Sequence, residues 1–427
     1  MHYEIVIVGG GAGGLELASR LGRAFGRRIG PERVLLVDRS HFHIWKPTLH
    51  EVAAGTLNPQ QEGLSYSILS RNNHFSFMLG ELVAFDPEGK KLTLAALKDE
   101  HGEEIIPERT ISFGNCVLAM GSGSNFFGTP GAAEHAFVLE NARDAQHFQQ
   151  RLLALFAKAA YSQGKQLDVV IVGAGATGVE LSAELMEAYH EIQGATGSKQ
   201  HFHMHITLVE GAPRVLAGLP EKVSLQAMYA LRAKHITVLT DTKVQAIHAN
   251  RVETSRGDLP ADVIVWAAGI KAAERNQRFG LPVNRLNQFE VNDRLQTAAE
   301  GVYAMGDCSA CPWHDGKFVP ARAQAAHQQA RYLARRFMAL YAGKPFDDIF
   351  VYRDSGSLVS LGDNQGVGNL MGSLAGKNFF IEGLIAKYMY MSLHLMHHKV
   401  ILGWRKTALL ALARIFQTRV SGRLKLH

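Results

Sequence analysis

Two copies of one glycine-rich turn constrain this chain more than any other feature. IVIVGGGAGGLEL spans residues 5–17 and VVIVGAGATGVEL spans 169–181. In each, Gly-x-Gly-x-x-Gly follows an apolar β-branched run and opens a helical pattern, the context in which the motif holds a dinucleotide. Gly9 and Gly173 make the tight turn, Gly11 and Gly175 let the backbone approach a pyrophosphate, and Gly14 and Gly178 let the helix pack closely on its strand. The free N–H groups and partial positive charge at each helix start then face the phosphates. Aligning Gly9 with Gly173 matches seven of thirteen positions through Leu21 and Leu185, Glu16 with Glu180 among them. Two versions of one nucleotide-binding unit are expected.

Each unit should end its second strand in a carboxylate that bonds ribose hydroxyls. RVLLVD ends at Asp38 and ITLVE ends at Glu210. Glu210 stands 32 positions beyond Gly178, against a usual ~20, and the excess is assigned to an insertion around Gly194–His205. An acid at 210 repels the extra phosphate of NADPH, so NADH preference is expected, with Arg214 nearby as the opposing charge.

With 427 residues, 47% hydrophobic and 20% charged, the chain is long enough for two or three globular domains. A glycine turn beginning at residue 9 leaves no room for a signal peptide, so a cytoplasmic start is expected. Three cysteines make no disulfide framework, which suits a reducing compartment.

The net charge of +6 is not a nucleic-acid signal, because Gly383–His427 carries eight Lys or Arg and no acid, leaving −2 for the other 382 residues. That tail is also apolar, yet neither of its segments offers the run of apolar residues a spanning helix needs. On a helix from Trp404 to Val420, Trp404, Leu409, Leu412, Ile415, Phe416 and Val420 share a broad face, with Lys406, Arg414 and Gln417 opposite. Arg405 and Arg419 interrupt that face near its ends, where long stems snorkel outwards. The pattern suits a helix lying in the interface of an anionic bilayer. Docking on the protein's own core, or on a dimer partner, is the alternative. Residues 383–427 are expected to be removable without loss of the soluble protein and its bound cofactor.

CVLAMGS (116–122), VIVWAAGI (263–270) and GVYAMGD (301–307) each run a buried strand into a small-residue turn. With the two glycine turns they resemble the two-dinucleotide flavoprotein superfamily, which holds FAD in its first unit and NAD(P)H in its second. DRSHFHIWKPTLHEVAAGTL, GATGVELSAEL, VWAAGIKA, GDCSACPWHDGKFVPARAQAAHQ and the final RLKLH narrow the resemblance to the bacterial type II NADH:quinone oxidoreductases. That resemblance implies an α/β fold of two Rossmann-like domains, one inserted in the other, followed by an amphipathic helical membrane-anchoring region. The implied segments are FAD binding at 1–125 and 286–345, NADH binding at 126–285, and membrane association at 346–427. The implied reaction passes a hydride from NADH to non-covalently bound FAD, then two electrons to a respiratory quinone, without proton pumping. It also implies a peripheral or monotopic enzyme, possibly a homodimer, on the cytoplasmic face of the inner membrane.

The same resemblance assigns roles residue by residue. Asp307 meets the FAD ribityl chain, Lys46 lies near the flavin, and Gly269 belongs to the cofactor-contacting turn of the second unit. Gln324, also at the cofactor, and Gln328 match the quinone-site motif. Their four-residue spacing places two neutral amides on one helix face, suited to quinone carbonyls, although from spacing alone they equally read as solvated helix residues. Glu180 matches an acid between nicotinamide and quinone that relays a proton. Its plainer reading is a favourable charge at a helix N-terminus, which Glu16 at the same offset supports.

Two features stand outside this scheme. Cys308-x-x-Cys311 beside Asp307 fits a sulfide:quinone or disulfide-type flavin oxidoreductase, a metal or redox sensor, or simple packing. His201-x-His203-x-His205 offers alternate residues of a strand on one face, but no second cluster completes a metal site and none is expected. A non-enzymatic flavoprotein sensor is a third class of reading; intact glycine turns and both ribose acids weigh against it.

Overall fold

The computed structural model describes residues 1–160, 166–196, 202–362, 365–371 and 378–420. Its architecture follows the two glycine turns. In the first unit the strands Ser76–Leu79, Val34–Asp38, His2–Val8 and Arg109–Leu118 lie side by side and parallel, and Val302–Ala304 pairs with the far edge of the last. Ile5, Val6 and Ile7 are fully buried because both faces of this parallel sheet are covered, which is why the strand reads as an unbroken apolar run. Two antiparallel strands, Leu82–Asp86 and Lys91–Leu94, extend the sheet.

The second unit is contained between residues 166 and 266, where Thr237–Leu239, His203–Val209, Gln166–Val172 and Val263–Trp266 form a parallel four-stranded sheet in that spatial order. The chain crosses into and out of this unit on one antiparallel pair, Gly123–Ser124 against Ile270–Lys271. It then returns to the first sheet at Val302. Insertion of one unit in the other is therefore visible in the strand order.

The helix Ala176–Thr196 is about as long as its counterpart Ala12–Arg33, so the extra length before Glu210 falls after Thr196. Residues 197–201, His201 among them, lie outside the described residues. One expectation needs correction. The C-terminal region is not wholly helical, since three antiparallel strands, Gly356–Ser360, Gly366–Met371 and Asn378–Glu382, precede the helices Gly383–Leu402 and Trp404–Val420.

Nor is the helix Gly383–Leu402 an appendage. Ile401 is buried in the first unit's core, Arg23 donates to the Val400 carbonyl at 2.8 Å, and Trp45 stacks on His394 with ring centroids 4.9 Å apart. At the centre of this contact the Nε2 atoms of His43 and His397 stand 2.7 Å apart, and His43 Nδ1 lies 2.9 Å from the carbonyl oxygen of Gly10. The imidazoles of His327, His394 and His398 surround the pair. Burial, more than the neighbouring imidazoles, pushes His43 down to about 4 and His397 well below its usual value. The removable part of the tail therefore begins at Trp404.

Because folded His43 resists protonation that the unfolded chain accepts near 6.5, its contribution is complete above that pH and is lost as pH falls towards about 4. The loss is of order 3 kcal/mol for that single group. Amide exchange in residues 383–402, corrected for intrinsic rates, should accelerate between pH 7 and pH 4.5 before that of the strand Gln166–Val172 does. Simultaneous loss of protection in both, or no change in either, contradicts this account.

Candidate functional site

The two glycine triplets are built alike. Gly9 has φ +106° and Gly173 φ +103°, and a Cβ would lie 2.3 Å from the Ala119 carbonyl oxygen and 2.7 Å from Ala268 respectively. A Cβ on Gly14 would meet the Gly9 oxygen at 1.9 Å, and one on Gly178 the Gly173 oxygen at 1.9 Å. Around Gly11 and Gly175 nothing stands within 4 Å, so the middle glycine of each turn faces open space. That is where a pyrophosphate must come close.

Each turn is closed by its own acid. The Gly10 N–H donates to Asp38 Oδ2 at 2.6 Å and the Ser40 N–H to Oδ1 at 2.8 Å. In the second unit the Ala174 N–H donates to Glu210 Oε2 at 2.7 Å and the Ala212 N–H to Oε1 at 2.8 Å. A carboxylate has about four acceptor positions, so both retain capacity for ribose hydroxyls. Burial lifts the Asp38 carboxyl above its ordinary range against the pull of the backbone donors. Asp38 also borders a cavity of about 560 Å³ that reaches from Gly9 to Ser122 and Lys271.

Ser122 ties the other predicted flavin contacts together. Its hydroxyl donates to Asp307 Oδ2 at 3.0 Å, and its carbonyl accepts from Lys46 Nζ at 2.7 Å. The Asp307 turn is held from behind by Gln329, which accepts the Gly306 N–H at 2.7 Å, and by Gln288, which donates to the Asp307 carbonyl at 2.9 Å. Gly269, at φ +68°, lies on the strand crossing between units, and its carbonyl accepts from the Asn125 N–H at 3.3 Å.

Gln324 and Gln328 share a face of the helix Ala323–Tyr341, which lies along residues 352–354. Tyr352 donates to Gln324 Oε1 at 3.0 Å. Gln328 uses both ends of its amide on Arg353, donating to its carbonyl at 2.8 Å and accepting its N–H at 3.0 Å. The expected pair of freely offered amides is therefore unequal, with Gln328 acting as a backbone clamp.

Glu180 is 7% exposed. Its Oε1 accepts the Ser360 N–H at 3.0 Å, and its Oε2 lies 3.6 Å from His50 Nδ1. Burial pushes its carboxyl up to about 7; His50 pulls the other way, and Glu51 and Glu184 add to the rise. Glu16, at the same offset in the first unit, ends in the opposite state. It is paired with His327 and with Arg20, the latter at 2.7 Å. Although burial raises it, those partners hold it below the usual carboxylate range. A shared helix-terminus charge does not account for two acids poised so differently.

A model of the pyridine nucleotide-disulphide oxidoreductase family matches residues 3–330. The type II NADH:quinone oxidoreductase of Haemophilus influenzae is 38% identical over 446 aligned residues, covering 99% of this chain and all of that protein. The chain belongs to the type II NADH:quinone oxidoreductases. The Staphylococcus aureus protein of that name is 28% identical, covering 88% of this chain and 91% of its own. Two solved structures share the fold. Plasmodium falciparum NDH2 in complex with NADH has a TM-score of 0.82 at 19% identity, covering 99% of each chain. The sulfide:quinone oxidoreductase of Aquifex aeolicus has a TM-score of 0.72 at 16% identity, covering all of this chain and 96% of that one.

Fold alone does not separate this type II NADH:quinone oxidoreductase from a sulfide enzyme; the sequence relatives do. Cys308 and Cys311 are free and buried; burial pushes them to about 11 and about 12. Their thiols donate to carbonyl oxygens, Cys308 to Leu118 at 3.4 Å and Cys311 to Pro312 at 3.6 Å. Thiols held up in this way make poor nucleophiles, since the thiolate is the reactive form. Among the described residues no group of three His, Cys, Asp or Glu is arranged to hold a metal. His205 instead meets Asp168 at 3.4 Å and Thr237 at 2.9 Å. Sequence reasoning missed His50 and Gln329. Gln329 was detectable as the one amide on an otherwise apolar helix face with Ala325, Ala326, Ala330 and Leu333.

Gly11→Ala should leave the apoprotein's thermal unfolding within about 1 kcal/mol of wild type, because its Cβ meets nothing, yet abolish FAD retention. Gly14→Ala should cost at least ~2 kcal/mol before any cofactor is considered. Equal stability of the two variants, or a Gly11→Ala protein with a full flavin complement, contradicts the reading.

Proposed function

We propose that this protein oxidises NADH held on residues 126–285 and reduces a membrane quinone, using FAD held non-covalently by residues 1–125 and 286–345. The observation that carries this reading is the pair of acid-closed glycine turns in one chain, with buried Glu180 poised near neutrality where the second unit meets His50 of the first. The residues present fit FAD: the open backbone at Gly11, the acceptor capacity of Asp38, and the grouped Lys46, Ser122 and Asp307. When bound, FAD supplies the two-electron relay between a hydride donor and a quinone. The protein's own work is binding, orientation and proton handling.

Gly175 and the following helix N-terminus receive the NADH pyrophosphate, Glu210 its ribose, and Gly269 borders the same site. Arg214 is engaged with the carbonyls of Leu219 at 2.9 Å and Ala217 at 2.8 Å. With that guanidinium tied down, Glu210 repels a 2′-phosphate unopposed, which supports NADH over NADPH. Gln324, its oxygen held by Tyr352, presents its amide donors to a quinone carbonyl, and Gln328 fixes the segment beside it. The net reaction, NADH + H⁺ + quinone → NAD⁺ + quinol, takes up one proton, and protonated Glu180 supplies it.

The membrane reading rests on the last helix. Trp404, Leu409, Leu412 and Phe416 are 66%, 73%, 54% and 64% exposed, a face that suits burial in an anionic bilayer surface at the cytoplasmic side of the inner membrane. Among the described residues no helix is long and apolar enough to cross a membrane. Ending the chain at Gly403 should leave flavin content intact and lower partitioning onto anionic vesicles at least ~100-fold, since six cations and the apolar face are lost. Undiminished vesicle binding would remove the lipid reading.

Anaerobic stopped flow tests the catalytic reading. NADH should bleach the flavin of the loaded protein and a soluble quinone should restore its colour. In Glu180→Gln the first step should stay within about threefold of wild type while the second slows at least ~10-fold. The wild-type second step should also decline above pH about 7, where Glu180 loses its proton, and that decline should vanish in the variant. Equal slowing of both steps would count against a proton role.

A further inference from the structure

The helix Leu49–Ala54 begins immediately after the Lys46–Thr48 turn, so His50 lies one helical turn beyond Lys46. It is 3% exposed. Its Nδ1 faces Glu180 Oε2 across the boundary between the two nucleotide units, at 3.6 Å. On the other side of the ring Nε2 is buried without a hydrogen-bond partner. A buried imidazole nitrogen left unpaired costs free energy, and its mate is aimed at the one acid the reaction needs protonated.

We propose that His50 is the proton partner of Glu180, recharging the carboxyl after each turnover and fixing its orientation. The inference rests on the reading of Glu180 as proton donor. When the Glu180 O–H bond breaks and its proton joins the reduced quinone oxygen, a carboxylate remains beside His50. A proton arriving at the free Nε2 of the neutral ring then lets the Nδ1–H bond break and the carboxyl O–H re-form, and the ring regains its starting tautomer by giving up the Nε2 proton and taking one at Nδ1. One proton enters per NADH oxidised, as the net reaction requires. The charged and titratable groups facing the pair are Glu51 on the helix of His50 and Glu184 on the helix of Glu180; Ser360 contributes only its backbone N–H. Glu184 is itself engaged by the Thr56 hydroxyl at 2.6 Å. His50 is therefore the one side chain among the groups that shift Glu180 that favours its carboxylate form.

The test uses the full-length, FAD-loaded protein and the variants His50→Leu, His50→Gln, Glu180→Gln and His50→Gln/Glu180→Gln, each checked for flavin content. Without substrates, the infrared carboxyl band lost in Glu180→Gln should titrate about one pH unit higher in His50→Leu than in wild type, because the side chain that favours the carboxylate form is gone. In stopped flow, His50→Leu and His50→Gln should slow the quinone step at least ~10-fold in repeated turnover but less in the first turnover, when Glu180 starts protonated. The double variant should be no slower than Glu180→Gln, since the two residues act in series. An unshifted carboxyl band, equal slowing of first and later turnovers, or additive losses in the double variant overturns the role of His50. An unslowed quinone step in Glu180→Gln overturns the donor reading beneath it. His50→Gln keeps the ring's polarity and approximate volume, so the comparison survives if His50→Leu fails to fold.

Discussion

In both nucleotide units a backbone N–H from the tight turn donates into a carboxylate at the end of the neighbouring strand. Gly10 with Asp38, and Ala174 with Glu210, join the end of the first strand to the end of the second. Register brings those ends level, since Val8 pairs with Val37 and Val172 with Val209. The bond occupies a donor the turn would otherwise bury unpaired and pins the following helix with its N-terminus at the open middle glycine. It also places a carboxylate where a ribose must lie once the pyrophosphate is seated. In the proposed function, local folding and cofactor recognition are thus served by the same two side chains.

What differs between the copies is what covers their helices. Glu16 and Glu180 occupy equivalent positions, and burial works against ionisation in both. Glu16 overcomes it with His327 and Arg20, so it remains a structural anion in the group that seats the helix Gly383–Leu402. Glu180 has a single backbone donor and one imidazole, with two further acids nearby, and stays near its titration point. Duplication supplied the position, and the surrounding elements decided the chemistry.

This division also sets how much was legible in the chain. The glycine spacing and the two strand-ending acids are local patterns, and the fold of both units follows from them. The bounds of the helix Trp404–Val420 follow equally from its apolar periodicity. The clamp formed by Gln328 was not legible, because its partner Arg353 sits 25 residues away in a segment with no pattern of its own. The three strands after Gly356 were hidden for the same reason, being short and interrupted by glycines. His50 lay inside a run already noticed, but its meaning depends on Glu180 lying opposite, a contact between residues 130 positions apart that no periodicity announces. The basic, apolar tail concealed a division that only packing reveals: the helix before Gly403 is part of the core, and the one after it is not.

Residues 346–402 then become more than a bridge to a membrane. Ser360 donates to Glu180, Tyr352 to Gln324, Arg353 pairs with Gln328, and His397 meets His43, itself bonded to the first glycine turn. Every side chain assigned to the quinone end thus takes at least one hydrogen bond from this region. The nucleotide core by itself would keep both glycine turns yet leave Glu180 and both glutamines without their positioning partners. The segment that leads to the exposed apolar helix is the segment that holds Glu180, Gln324 and Gln328, so in the proposed function orientation at a lipid surface and assembly of the acceptor side belong to one continuous piece of chain.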